Sequence, residues 1–138
     1  MSRREIREHI FKLLFLLEFY KGEELNEQAE RYLDEVEEAV PTEAEAAYIR
    51  ERFHKVEEKI EELDQLLTSA STGWKLNRMS KVDLAIMRLA VYEMKMDEDI
   101  PVKVAINEAV ELAKSYSDDK VKNMINKVLD NVYKEKIN

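Results

Sequence analysis

The chain has 138 residues and a net charge of −8, enough length for one buried core and too little for two large ones. Hydrophobic residues at 45% beside charged ones at 38% exclude a disordered chain, and two glycines with two prolines leave almost no turn chemistry for a sheet protein. The absence of cysteine excludes disulfides and thiolate sites and fits a cytoplasmic location.

Residues Arg4–Tyr20 read as a first helix, with Ile6, Ile10, Leu13, Leu14 and Leu17 on one stripe, widened by Phe11, Phe15, Leu16 and Phe19. Arg3, Arg4 and Arg7 crowd its first turn, where the helix dipole disfavours positive charge. Either an outside anion is bound there or the terminus is frayed and solvated. The opening Met-Ser-Arg-Arg-Glu leads straight into this amphipathic stretch, so no signal peptide is expected. Gly22 is placed to end the helix. Leu25–Val36 follows as a strongly acidic second helix with Leu25, Ala29, Leu33 and Val36 on one side. Pro41 breaks the chain, and Thr42 with Glu45 forms a capping box for a third helix from Glu43. Its apolar positions, Ala46, Ile49, Phe53, Val56, Ile60, Leu63 and Leu67, allow one long helix or two with a break near Glu57–Lys59. Between Glu23 and Asp64 the net charge is −11, so this block is expected to form a solvated outer layer.

Thr68–Asn77 is a polar connection, and Trp74 within it is expected to plug the base of the next helix. That helix, within Met79–Met96, is central: from Val82 to Met94 only Asp83, Arg88 and Glu93 are polar, and they point in widely different directions. Apolar surface all round marks a helix buried among others. Ser80 is placed to cap it, with Asp83 at the third position. Lys81, Arg88 and Lys95 recur every seven residues and read first as the solvated edge of this core helix. After the loop Asp97–Ile100, Pro101 opens a helix over Val102–Tyr116. Ser117, Asp118 and Asp119 supply a cap and first-turn acids for a last helix, with Val121, Met124, Ile125, Val128, Leu129 and Val132 on its inner stripe and Lys120, Lys127 and Lys134 elsewhere. The expectation is an all-α bundle of six or seven helices. No segment has the eighteen or so apolar residues of a membrane helix.

Two isolated glycines, Gly22 and Gly73, cannot build a phosphate-cradling loop. Glu51 and His54 form one Glu-x-x-His pair, half of a helical di-iron motif, but the second pair is lacking. No nucleophile adjoins an evident base, so neither catalysis nor a cofactor nor a metal is expected. Binding remains. Despite the overall charge, three stretches are net positive: Met1–Lys12 at +2, Lys75–Met96 at +3 and Lys120–Asn138 at +3. They could serve RNA, although exposed aromatics beside the lysines are not obvious from the sequence.

The ordered pieces Ser2-Arg3-Arg4-Glu5-Ile6-Arg7-Glu8, Trp74–Glu93, Asp99-Ile100-Pro101, Ala105-Ile106-Asn107-Glu108-Ala109 and Leu112-Ala113-Lys114 resemble the NusB family of bacterial transcription antitermination factors over essentially the whole chain. The resemblance implies a single NusB-like RNA-binding domain over residues 1–138, built of two small helical subdomains. It implies binding of boxA RNA, a short single-stranded signal, together with NusE, the small-subunit ribosomal protein, so that RNA polymerase reads through terminators in ribosomal RNA transcription. By the same resemblance Arg3, Arg4, Arg7, Lys122, Met124, Asn126 and Lys127 would meet RNA, and Phe15, Arg88 and Glu93 would meet NusE. The pattern departs in one place. Where the family commonly reads Phe-Val-Asn-Gly-Val-Leu-Asp, this chain has Met124-Ile125-Asn126-Lys127-Val128-Leu129-Asp130. Methionine lacks a flat π-face, worth about 1 kcal/mol or more of stacking, while Lys127 offers a phosphate contact. Two other readings stay open: a helical protein–protein adaptor without RNA, and a detached copy of the NusB-like domain of some ribosomal RNA methyltransferases.

Overall fold

The computed structural model describes residues 1–71, 73 and 75–137, and for 136 and 137 only the backbone. Trp74, expected to plug the core helix, lies outside the described residues. The described residues form seven α-helices and two short 3-10 turns, with no strand: α1 (Arg3–Phe15), α2 (Gly22–Glu35), α3 (Glu43–Glu58), α4 (Ile60–Ala70), α5 (Lys81–Met96), α6 (Val102–Tyr116) and α7 (Val121–Ile137). The all-α expectation of six or seven helices holds. None of the described helices is long and apolar enough to cross a membrane. The chain divides into two compact units, Met1–Glu57 and Glu58–Asn138.

In the first unit, Ser2 caps α1 through a reciprocal box: its hydroxyl accepts the Glu5 N–H at 3.1 Å, and the Glu5 carboxylate accepts the Ser2 N–H at 2.9 Å. The helix is shorter than its apolar stripe suggests. It ends at Phe15 and tightens into a 3-10 turn at Leu16–Glu18, with the Phe19 and Tyr20 N–H groups both donating to the Leu16 carbonyl at 3.0 Å. Gly22 therefore does not terminate α1. It opens α2, at φ +59°, a left-handed turn that glycine enters without Cβ strain. Helix α2 buries Leu25, Ala29 and Leu33, and α3 buries Ile49, Phe53 and Val56. Thr42 and Glu45 form the expected capping box, at 2.9 and 3.1 Å. Arg50 donates twice to Glu30, at 2.6 and 2.8 Å, tying α3 to α2 and holding the Glu30 carboxyl below its ordinary range. The acidic block is thus polar outside, as expected, while its apolar stripes furnish buried core. His9 is buried on α1. Its Nε2 lies 2.7 Å from the Ala39 carbonyl and its Nδ1 2.7 Å from the Tyr32 hydroxyl. A carbonyl only accepts, so Nε2 is the donor, and this bond pins the one non-glycine residue with positive φ among those described.

The long apolar pattern breaks in two at Lys59, just inside the second unit, where a φ of −105° and ψ of 7° leave the helical region. Helix α4 runs on to Ala70, so the connection expected from Thr68 starts later. Its last carbonyls are satisfied by side chains: Ser71 donates to Leu67 at 2.6 Å and Asn131 to Ala70 at 3.0 Å. Helix α5 contacts α4, α6 and α7. From Asp83 to Met94 every residue but Arg88 is buried, which confirms it as the central helix. Ser80 caps it, accepting the Asp83 N–H at 3.0 Å. The Asp83 carboxylate accepts a bond from the Ser117 hydroxyl at 2.6 Å, joining the start of α5 to the end of α6. Ser117 is therefore not the cap of α7; Asp118 takes the turn, its side chain accepting the Lys120 N–H at 3.1 Å and its carbonyl the Val121 N–H at 2.9 Å. Ile125, Val128, Leu129 and Val132 form the inner stripe of α7.

Candidate nucleic-acid interface

The candidate residues sit on two helices, one in each unit. On α1, Arg3 and Arg4 are exposed and Arg7 is half-buried. At 100° per residue the three fall within an arc of about 100°. Three guanidiniums in one turn disfavour a helix N-terminus, and the capping box offsets this by supplying acceptors and one negative charge there. The Ser2 backbone N–H holds the Glu5 carboxyl below its ordinary value. The terminus is thus a closed helical turn from Arg3 onward, presenting a planar, permanently charged donor set suited to phosphate. The Ser-x-x-Glu spacing that builds it, Ser2 to Glu5, is the sequence signal of this cap.

On α7 the candidates separate. Taking the helix at 100° per residue, Lys122 and Asn126 lie about 40° apart on one flank. Met124 and Lys127 lie about 60° apart towards the other. Asn126 and Lys127 are exposed, while Lys122 and Met124 are half-buried. Lys122 lies 3.1 Å from the Asp119 carboxylate, which is itself 80% exposed and so gives the lysine up readily to a phosphate. Lys120 and Lys134 are exposed at the two ends of this surface. An exposed aromatic not evident from the sequence also appears on α7: Tyr133, 42% exposed, on the flank of Lys122 and Asn126.

The candidates for a protein partner differ from one another. Phe15 is half-buried at the end of α1 and packs edge-to-face against Phe19, with ring centroids 5.2 Å apart. Phe19 is 54% exposed because the 3-10 turn takes it off the helical stripe where the sequence placed it. Arg88 makes a two-pronged ion pair with Asp64 of α4, at 2.8 and 2.9 Å, with its side chain only 12% exposed. Lys81 and Lys95 flank it in sequence, so the basic seam along α5 is interrupted by an internal pair. Glu93 is 5% exposed and is engaged within the fold. Glu51 and His54 are likewise engaged, Glu51 with Lys55 at 2.9 Å and His54 with Glu57 at 3.0 Å. Two surface depressions of about 490 and 500 Å³ are lined by Glu27, Glu30 and Asp34, and by Glu61 and Asp64. Arg31 also lines the first, and Glu30 and Asp64 are each already paired with an arginine.

The profile of the NusB family matches residues 4–134. The Transcription antitermination protein NusB of Lachnoclostridium phytofermentans is 52% identical over 132 residues, covering 96% of this chain and 98% of that protein. The protein of the same name from Agathobacter rectalis is 54% identical over 129 residues, covering 94% and 97%. Among solved structures, T. maritima NusB superposes with a TM-score of 0.84 at 33% identity, covering 98% of this chain and 92% of that one. The chain belongs to the NusB family.

Proposed function

We propose that this chain is a transcription antitermination factor that binds boxA-type single-stranded RNA together with NusE and acts in the cytoplasm without catalytic activity. The observation that carries this reading is the near full-length likeness to proteins named for antitermination. The distribution of charge supports it. A chain of net charge −8 still carries net positive charge on Met1–Lys12, Lys75–Met96 and Lys120–Asn138, which is the electrostatic footprint expected of a protein that binds an anionic polymer. The chain would work as one RNA-binding domain. Arg3, Arg4 and Arg7 on α1 and Lys122, Asn126 and Lys127 on α7 would hold phosphates and base edges, with Met124 beside them.

The NusE surface in this reading includes Phe15, Arg88 and Glu93, and their roles would differ. Phe15 with Phe19 offers apolar area outright. Arg88 would engage a partner only by exchanging or sharing Asp64, and Glu93 only if the partner uncovers it.

The test is fluorescence anisotropy of a boxA RNA and a scrambled control, with and without NusE, across a salt series. The expected result is a preference for boxA that sharpens with NusE and weakens steeply with salt. Equal, feeble binding to both RNAs, unaided by NusE, would replace the reading with that of a protein–protein adaptor.

A further inference from the structure

The stripe Lys122, Asn126 and Tyr133 on α7 has spacing i, i+4 and i+11, which brings the three within about 40° of one another around the helix and spreads them over roughly 16 Å along it. Tyr133 is 42% exposed on a helix whose inner stripe is complete without it, since Ile125, Val128, Leu129 and Val132 are buried to the limit. Exposed and flat, it lies on the flank of α7 that also carries Lys122 and Asn126. A protein interface draws its strength from clustered apolar anchors, which this flank lacks. A strand of single-stranded nucleic acid asks for what is present: cations for the backbone, an amide for base edges, and an aromatic face for an unpaired base. The segment Lys120–Asn138 is net +3 in a chain of −8, so the charge is complementary to that occupant and not to the average protein surface.

We propose that Tyr133 is a base-stacking platform, on which one unpaired base of a bound single-stranded RNA rests while Asn126 and Lys122, about 10 and 16 Å away along the helix, engage nucleotides further along the strand. The inference rests on the RNA reading above and names a contact residue within it. The α7 site would then have its aromatic nine residues after Met124, on the other flank of the helix.

The test uses the full chain with NusE and a boxA RNA carrying 2-aminopurine at each position in turn. Stacking on Tyr133 is expected to quench the probe at one position in the wild type, and to leave it unquenched in Tyr133→Ala. Affinity in Tyr133→Ala should fall about tenfold with no change in salt slope, because a ring face neutralises no phosphate. Tyr133→Phe should keep both the quench and the affinity. Because the phenol is exposed, the melting temperature of both variants should match the wild type; the quench and Tyr133→Phe decide the matter should the alanine variant fold poorly. Wild-type affinity in Tyr133→Ala, or a loss shared equally by Tyr133→Phe, overturns the platform and leaves the RNA reading standing. Absence of RNA binding by the wild type overturns both. A Tyr133→Ala variant that binds RNA normally but NusE weakly would assign the residue to the protein partner and overturn the proposal.

Discussion

The ion pair between Arg88 and Asp64 illustrates how one contact fixes what a residue can do. With both prongs made and the arginine side chain 12% exposed, the guanidinium is largely withdrawn from water, and its charge is balanced within the unit. Replacing Asp64 by Ala would leave that charge without its partner carboxylate. The expected outcome is destabilisation by roughly 1–3 kcal/mol, measured by urea unfolding of the full chain. An unchanged midpoint would mean that Arg88 swings out to solvent at little cost, which would in turn make it a better candidate for NusE. Sequence could not show this pair, since its members are 24 residues apart in a region where acids abound. Asp83 was similarly half-legible. Its place three residues after Ser80 was evident, but its acceptance of the Ser117 hydroxyl depends on α6 returning beside α5. Ser117→Ala should therefore cost about 1–2 kcal/mol, more than an exposed serine would, because Asp83 is a buried residue and its carboxylate loses a donor. The same unfolding midpoint reads it.

At the scale of the element, local rules decide most of what is seen. Helix periods and caps act within a few residues, and for that reason the extents of α5 and α6 and the start of α3 with its Thr42 box were legible, whereas the end of α1, and the choice between one helix and two after Glu43, were not. Leucine and phenylalanine continue past Phe15, and periodicity alone cannot tell an α turn from the 3-10 turn at Leu16–Glu18. That switch exposes Phe19, a surface feature hidden in the sequence. The N-terminal cap of α1 makes a prediction of its own. Ser2→Ala should cost about 1 kcal/mol and lower the helical signal in circular dichroism. Its partner Glu5 has a carboxyl lowered from its ordinary value by the Ser2 N–H, so the contribution follows the sign of a depressed acid. The stabilisation is fully present above the unfolded value, about pH 4.3, and is lost as pH falls through the lower folded value. The difference in stability between wild type and Glu5→Gln should therefore be constant near neutrality and shrink in acid. A gap that persisted unchanged to low pH would show that the carboxylate's charge is not what the cap uses.

For the molecule as a whole, the governing fact is that its negative and positive charge occupy different stretches of chain. The block Glu23–Asp64 carries −11 while Lys120–Asn138 carries +3. An anionic strand would meet repulsion from the first and attraction from the second, so its path is constrained before any specific contact forms. The two basic helices belong to different units, and whether one RNA engages both is a quantitative question. Each phosphate neutralised on a single strand contributes about 0.7 to the slope of log affinity against log salt. Changing Arg3, Arg4 and Arg7 together to Ala should therefore flatten the slope by roughly 2, and Lys122→Ala with Lys127→Ala by roughly 1.4, if all five side chains meet phosphates. When one strand runs over both helices, combining the two sets should flatten the slope by about the sum and reduce affinity by about the product of the separate losses. If RNA lies on α1 alone, the α7 pair should leave slope and affinity untouched, and the combined variant should match the arginine triple. The outcome that removes the α1 arginines from the interface is a triple variant with unaltered boxA affinity at every salt concentration.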